Sequence, residues 1–113
     1  MLQEVVGKHE VDENGMPAGG ETTGTGILID WQNGPLGRGP TRKAPNGAFV
    51  EGVIAAAIDR LEWYQNSKFK CRENALALTK LQEALHWLDW RTRRREGQGI
   101  EGTHREDEAV VSV

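Results

Sequence analysis

Four arginines, Arg91, Arg93, Arg94 and Arg95, close the longest helical pattern in this sequence, just ahead of Gly97. Arg91 and Arg95 are four residues apart, so on a helix they share a face and can grip one anion. The planar guanidinium fork suits phosphate oxygens, and its flat side stacks on a nucleobase. The same cations would also offset the negative C-terminal end of a helix dipole, and both roles stay open. Arg72 and Asn74 stand at the other end of the pattern. An asparagine amide donates and accepts, so Asn74 either caps the helix or reads a base edge. Tyr64 ends the preceding helical run, falls near Asn74 across a short break and offers an aromatic face. Core packing is the commoner role of a tyrosine on an apolar seam.

No catalytic set accompanies these residues. A hydrolase needs a nucleophile with a base, or paired carboxylates, in a defined pocket. His9 and His104 lie in polar stretches, and His86 falls mid-helix, where a surface or partner-contacting histidine is the ordinary reading. Cys71 has no histidine at helical spacing and reads as a buried or semi-buried thiol. The acidic residues are scattered, and no glycine-rich phosphate loop links a strand to a helix. The chain therefore reads as a binding protein, not an enzyme, with no metal and no cofactor.

Composition narrows what is bound. The 113 residues suit one small domain, 37 % of them are hydrophobic, and the formal net charge is -3. A core of that size gains from self-association. The acidic balance argues against long nucleic acid, the arginine cluster being basic only locally. One cysteine cannot form an internal disulfide and fits a reducing cytoplasm. No apolar stretch approaches the roughly 20 residues that span a bilayer. The N-terminus lacks the basic-then-apolar layout of a secretion signal.

Along the chain, residues 1–47 read as an N-terminal β-strand and glycine-rich loop region, residues 48–96 as a helical hairpin and residues 97–113 as a polar tail. Leu2, Val5 and Val6 open a strand that Asn14-Gly15 turns back, and Gly24 to Gly26 reads as a flexible connection. Ile27 to Gln32 alternates as a strand with Ile27, Ile29 and Trp31 on one face. The turn-rich stretch from Gly34 to Gly47 carries Arg38, Arg42 and Lys43. It is either a solvated connector or a loop whose amides and cations close over an anion. The spacing of Val50, Val53, Ile54, Ala57, Ile58, Leu61 and Tyr64 predicts a helix from Phe49 to Gln65. A second helix runs from Cys71 to Arg95, with Ser67 placed to cap it. So short a break makes the two antiparallel. The class is α+β. The tail from Glu101 to Val113 is expected to be disordered or swapped onto a partner.

Distance then decides how the polar ends can cooperate. Asn74 and Arg91 are seventeen residues apart, roughly 25 Å of helix. A dinucleotide-sized ligand does not reach both in one chain. Two hairpins packed antiparallel would bring Tyr64 and Asn74 of one beside Arg91 and Arg95 of the other, with Phe49 and the loop before it as a lid at the Arg91 end.

The run Cys71-Arg72-Glu73-Asn74-Ala75-Leu76-Ala77-Leu78-Thr79-Lys80-Leu81-Gln82-Glu83-Ala84-Leu85, followed by Trp87-Leu88, Arg91-Thr92, Arg95 and Glu101-Gly102-Thr103, resembles the helical hairpin of phage Thoeris anti-defence sponge proteins. Ile29 to Pro35, and then Asn46-Gly47, resemble that family's strand and loop. The likeness covers roughly residues 27–103. It implies a non-enzymatic sponge, working in the cytoplasm of the infected bacterium, that sequesters cyclic ADP-ribose isomers made by the host's TIR-domain enzymes. It also implies a homo-oligomer, a dimer or hexamer, with separate sites for cyclic di- or trinucleotides of the CBASS pathway. Carried over, the ligand site falls on Tyr64, Asn74, Arg91 and Arg95, with Arg72 and Phe49 beside it. Two competing readings remain: a nucleic-acid-binding hairpin using the arginine cluster, and a plain adaptor hairpin whose arginines only cap a helix.

Overall fold

Asp12 sets the first reversal of the chain. Its carboxylate accepts the backbone N–H of Asn14 at 2.8 Å and of Met16 at 3.0 Å, and Gly15 takes a φ of 77° that other residues resist. A computed structural model of the chain describes residues 3–105. In it this reversal joins β1 (Val5–Val11) to β2 (Pro17–Gly24), and a two-residue turn at Thr25-Gly26 leads to β3 (Ile27–Asp30). The three form an antiparallel sheet in the order β1-β2-β3. Leu2, expected to open the first strand, lies outside the described residues.

The central strand is the one that the sequence does not announce. Pro17–Gly24 contains no large apolar residue, and its end was expected to be a flexible connection. Gly24 instead pairs with both Val5 and Ile27. Glycine makes the pairing feasible: Gly20 has a φ of 130°, and a Cβ there would collide with the carbonyl of Lys8 on β1. β3 meets expectation, with Ile27 and Ile29 half-buried and Leu28 exposed. Its face continues through Trp31, whose indole N–H donates to the Thr22 hydroxyl at 2.8 Å. Past β3 the chain meets residue 48: Ala48 N–H donates to Asp30 O at 2.7 Å, and Gln32 N–H to Ala48 O at 3.0 Å. Gly47 must be glycine for this approach, since a Cβ would sit 2.6 Å from the Trp31 carbonyl.

Two helices follow, α1 (Val50–Gln65) and α2 (Arg72–Gly97), close to the spans that their periodicity predicts. Their half-buried positions fall on one seam each. On α1 these include Val53, Ile54, Ile58, Leu61 and Tyr64, and on α2 they include Asn74, Leu78, Leu81, Leu85 and Leu88. No side chain of α1 is fully buried, and on α2 only Arg95 is. One chain therefore leaves the seams partly covered. Trp63, Trp87 and Trp90 also stay more than half exposed.

The backbone groups into two units. Residues 3–49 together with 95–105 make the sheet unit, and Val50–Arg94 make the helical unit. In the sheet unit the end of α2 closes in a Schellman turn. Ile100 N–H donates to Arg95 O at 2.9 Å, and Gly99 N–H to Glu96 O at 3.0 Å, with Gly99 at a φ of 73°. That turn buries Ile100, the one apolar side chain fully enclosed among the described residues. The tail was expected to leave the fold or swap onto a partner. Residues 101–105 pack instead on their own chain, and residues 106–113 lie outside the described residues.

Candidate functional site

Tyr64, Arg72 and Asn74 gather around the turn between the helices, inside the helical unit. The turn is tied by the Gln65 side chain, whose amide donates to Cys71 O at 3.0 Å while its oxygen accepts Cys71 N–H at 3.0 Å. Ser67 was expected to cap α2. It finishes α1 instead, its hydroxyl donating to Tyr64 O at 2.6 Å and accepting Phe69 N–H at 3.1 Å. Asn74 sits in the first turn of α2, past the cap position, and its side-chain N–H reaches Phe69 O at 3.4 Å. Among the described residues its side-chain oxygen accepts no hydrogen bond, so the acceptor half of the amide remains to meet a donor edge. Arg72 is exposed on the first turn of α2, and Cys71 just before it, expected to be buried or semi-buried, is exposed as well, since it precedes the seam of the helix.

Arg91 is exposed near the far end of the same unbroken helix. The seventeen-residue interval thus spans roughly 25 Å of rigid rod, and one chain does not bring Asn74 and Arg91 together. At the Arg91 end, Arg93 pairs with Asp89 at 2.9 Å one turn back, an exposed pair worth little in stability.

Arg95 has a different setting. The residue is 7 % exposed. Its guanidinium donates to three backbone carbonyls of the segment that follows α2: Ile100 O at 3.1 Å, Thr103 O at 3.1 Å and Arg105 O at 3.0 Å. The side chain expected to clamp a phosphate with Arg91 is engaged in organising the C-terminal turn. Phe49, 41 % exposed, belongs to the sheet unit, where it follows the Ala48 pairing.

Residues 25–93 match a family model described as the Acb2/Tad1 hairpin domain. The chain belongs to the Acb2/Tad1 hairpin family. It is similar to a Bacillus phage SBSphiJ7 protein called Thoeris anti-defense 1, with 51 % identity over 76 residues, which is 67 % of this chain. The chain spans about half the length of that curated relative, 51 % of it being matched. The family match takes in β3, the loop after it and both helices as far as Arg93, hence Tyr64, Arg72, Asn74 and Arg91. Arg95 lies just beyond it.

The loop between β3 and α1, read as either a solvated connector or an anion-closing loop, is tied down at both ends in this Acb2/Tad1 family chain. At its base, Asn46 accepts Asn33 N–H at 2.8 Å and donates to Asn33 O at 2.9 Å. Toward its tip, Gly37 N–H donates to Gly102 O at 2.7 Å, Arg38 donates to Glu101 O at 3.0 Å, and Arg42 grips the Glu101 carboxylate with both guanidinium nitrogens. A carboxylate of the same chain thus fills the arginine fork that an external anion would use. Sequence reasoning missed this clasp, since fifty-nine residues separate its partners.

Hydrogen bonding from Arg42 holds the Glu101 carboxyl below its ordinary value, burial opposing this in part and the charges of Arg42, Arg38 and Arg95 adding to it. A carboxylate depressed in the folded state stabilises fully above its unfolded pKa, near 4.5, and loses that contribution as pH falls through the lower folded value. The expected result is that Glu101→Gln unfolds at a lower temperature than wild type at neutral pH, with the gap narrowing well below pH 4.5. Thermal unfolding of both proteins across that range checks it. A gap that stays constant with pH would assign the effect to something other than ionised Glu101.

Proposed function

We propose that this protein sequesters a cyclic nucleotide immune signal, a cyclic ADP-ribose isomer of the Thoeris pathway, without turning it over. The observation that carries the reading is the placement of unlike polar groups at the two ends of one unbroken helix. An aromatic face and an amide flank the turn at one end, and the exposed Arg91 stands at the other. In a homo-oligomer with antiparallel α2 helices, the Tyr64 and Asn74 end of one chain meets the Arg91 end of the next. A base then stacks and pairs at the first while phosphate is gripped at the second. The partly covered helical seams supply the apolar surface for such an assembly, a dimer or a hexamer. The relative's name, Thoeris anti-defense 1, supports the pathway, and its source in a phage supports action in the cytoplasm of an infected bacterium. Cyclic di- or trinucleotides would occupy a separate site.

Arg72 enters this reading as a cation at the rim beside Asn74. The rival reading, a basic surface for long nucleic acid, is disfavoured by the ion pair of Arg93 with Asp89 and by the burial of Arg95, which leave no open row of cations.

The test is depletion and release. Purified protein is mixed with a TIR-derived cyclic ADP-ribose isomer or, separately, with a cyclic dinucleotide, and free ligand is measured by chromatography before and after heating. Depletion of the isomer followed by release of the unchanged compound is expected. Release of a new product, or no depletion at all, overturns the reading.

A further inference from the structure

One cluster near the end of α1 was not singled out by the sequence reading. Arg60, Trp63 and Tyr64 are spaced three and four residues apart, which brings both rings within reach of one guanidinium. The central carbon of that guanidinium lies 4.5 Å from the Trp63 ring centroid and 4.9 Å from the Tyr64 ring centroid. One of its nitrogens is 3.5 Å from the Tyr64 hydroxyl. The rings stand edge to face with centroids 5.4 Å apart and planes at 73°. Trp63 nevertheless keeps 56 % of its surface exposed.

Two features of this arrangement point to a ligand. Among the described residues Arg60 forms no ion pair, although it is a permanent cation, and the Tyr64 hydroxyl at 3.5 Å is the one hydrogen-bond partner that its N–H donors have. Its neighbour Trp63 presents a large flat surface to water with one side shielded by the cation. A planar aromatic face next to an uncompensated cation with a donor edge matches the two halves of a nucleotide: a base that stacks and a phosphate that accepts.

We propose that Arg60 and Trp63 extend the ligand site beyond Tyr64, Trp63 stacking on a base of the bound cyclic nucleotide and Arg60 donating to a phosphate oxygen beside it. The assignment rests on the reading that Tyr64 faces the ligand. It names two further binding residues and gives Arg60 a second duty, holding the Tyr64 ring by its face and its hydroxyl.

The experiment measures cyclic ADP-ribose isomer binding by calorimetry at two salt concentrations for wild type, Arg60→Ala, Arg60→Lys, Trp63→Ala and Arg91→Ala, with thermal unfolding run on each. The exposed positions should leave the folded state intact. Trp63→Ala is expected to weaken binding on the order of tenfold with the salt dependence unchanged, as loss of one stacked base would. Arg60→Ala is expected to weaken it at least as much and to flatten the salt dependence, while Arg60→Lys keeps that dependence. Unchanged binding in either alanine variant, with Arg91→Ala still impaired, overturns the extension and leaves the sponge reading standing. Wild type that binds no isomer overturns both.

Discussion

Arg95→Ala is expected to lose about 3 kcal/mol of stability, the largest effect of any single arginine in this chain. The side chain is buried, and its guanidinium holds the carbonyls of Ile100, Thr103 and Arg105. Truncation leaves three acceptors without their charged donor and opens a void beside Ile100, the enclosed apolar side chain. For a domain of this size the melting temperature should fall on the order of 15 °C. The Glu101 clasp should loosen with it, because the lost guanidinium bonds hold Ile100 and Thr103 on either side of Glu101. Hydrogen exchange would show the loss concentrated in residues 96–105 and in the loop that they hold. An Arg95→Ala protein that melts like wild type but fails to bind a cyclic ADP-ribose isomer would return Arg95 to the direct clamp role that its spacing from Arg91 suggests.

The second large effect concerns how the two ends of α2 meet. Asn74→Ala and Arg91→Ala are each expected to weaken isomer binding without unfolding the chain, by about 1 kcal/mol for the neutral amide bond of Asn74 and about 1–3 kcal/mol for each charge-assisted bond of Arg91. Combining the variants distinguishes a shared site from a site within one chain. If each site takes Asn74 from one chain and Arg91 from another, a randomly exchanged dimeric mixture contains mixed pairs with one intact site and one doubly impaired site. Equal mixing should then restore tight binding to about a quarter of all sites. The measurement is a titration of the mixture after subunit exchange, at ligand concentrations between the wild-type and single-variant affinities. A mixture that binds no better than its components would overturn the shared site.

The helices were legible because their apolar residues repeat at three and four, and short turns bounded them. The strand Ile27–Asp30 was legible because Ile27 and Ile29 alternate with exposed neighbours. β2 was not, since its pairing depends on glycines that let β1 approach and not on any apolar pattern; Gly20 at a φ of 130° is the clearest instance. For the candidate site, the placement of Tyr64 and Asn74 around one turn followed from the shortness of the break between helices. The burial of Arg95 did not, because it depends on what the chain does after the helix. A signal for it existed in Gly99 followed by Ile100, a glycine past a helix end and then an apolar residue, which is the pattern of a Schellman turn. The pairing of Arg42 with Glu101 has no such local signal, as it joins residues fifty-nine apart. The Arg60, Trp63 and Tyr64 cluster is written in helical spacing alone, since residues three and four apart share a face.

The unbroken course of α2 also limits how the gene can change. Between Asn74 and Arg91 the helix acts as a gauge rod that fixes both separation and phase. Deleting one residue there turns one end against the other by about 100° and shortens the rod by about 1.5 Å. An insertion of seven residues keeps the phase to within about 20° but lengthens it by about 10.5 Å. Point substitutions on the outer surface leave the gauge unaltered, and loops can change length around it. Under the proposed site, variation that tunes ligand choice is thus channelled into side chains at the two ends, while the number of residues between those ends stays fixed.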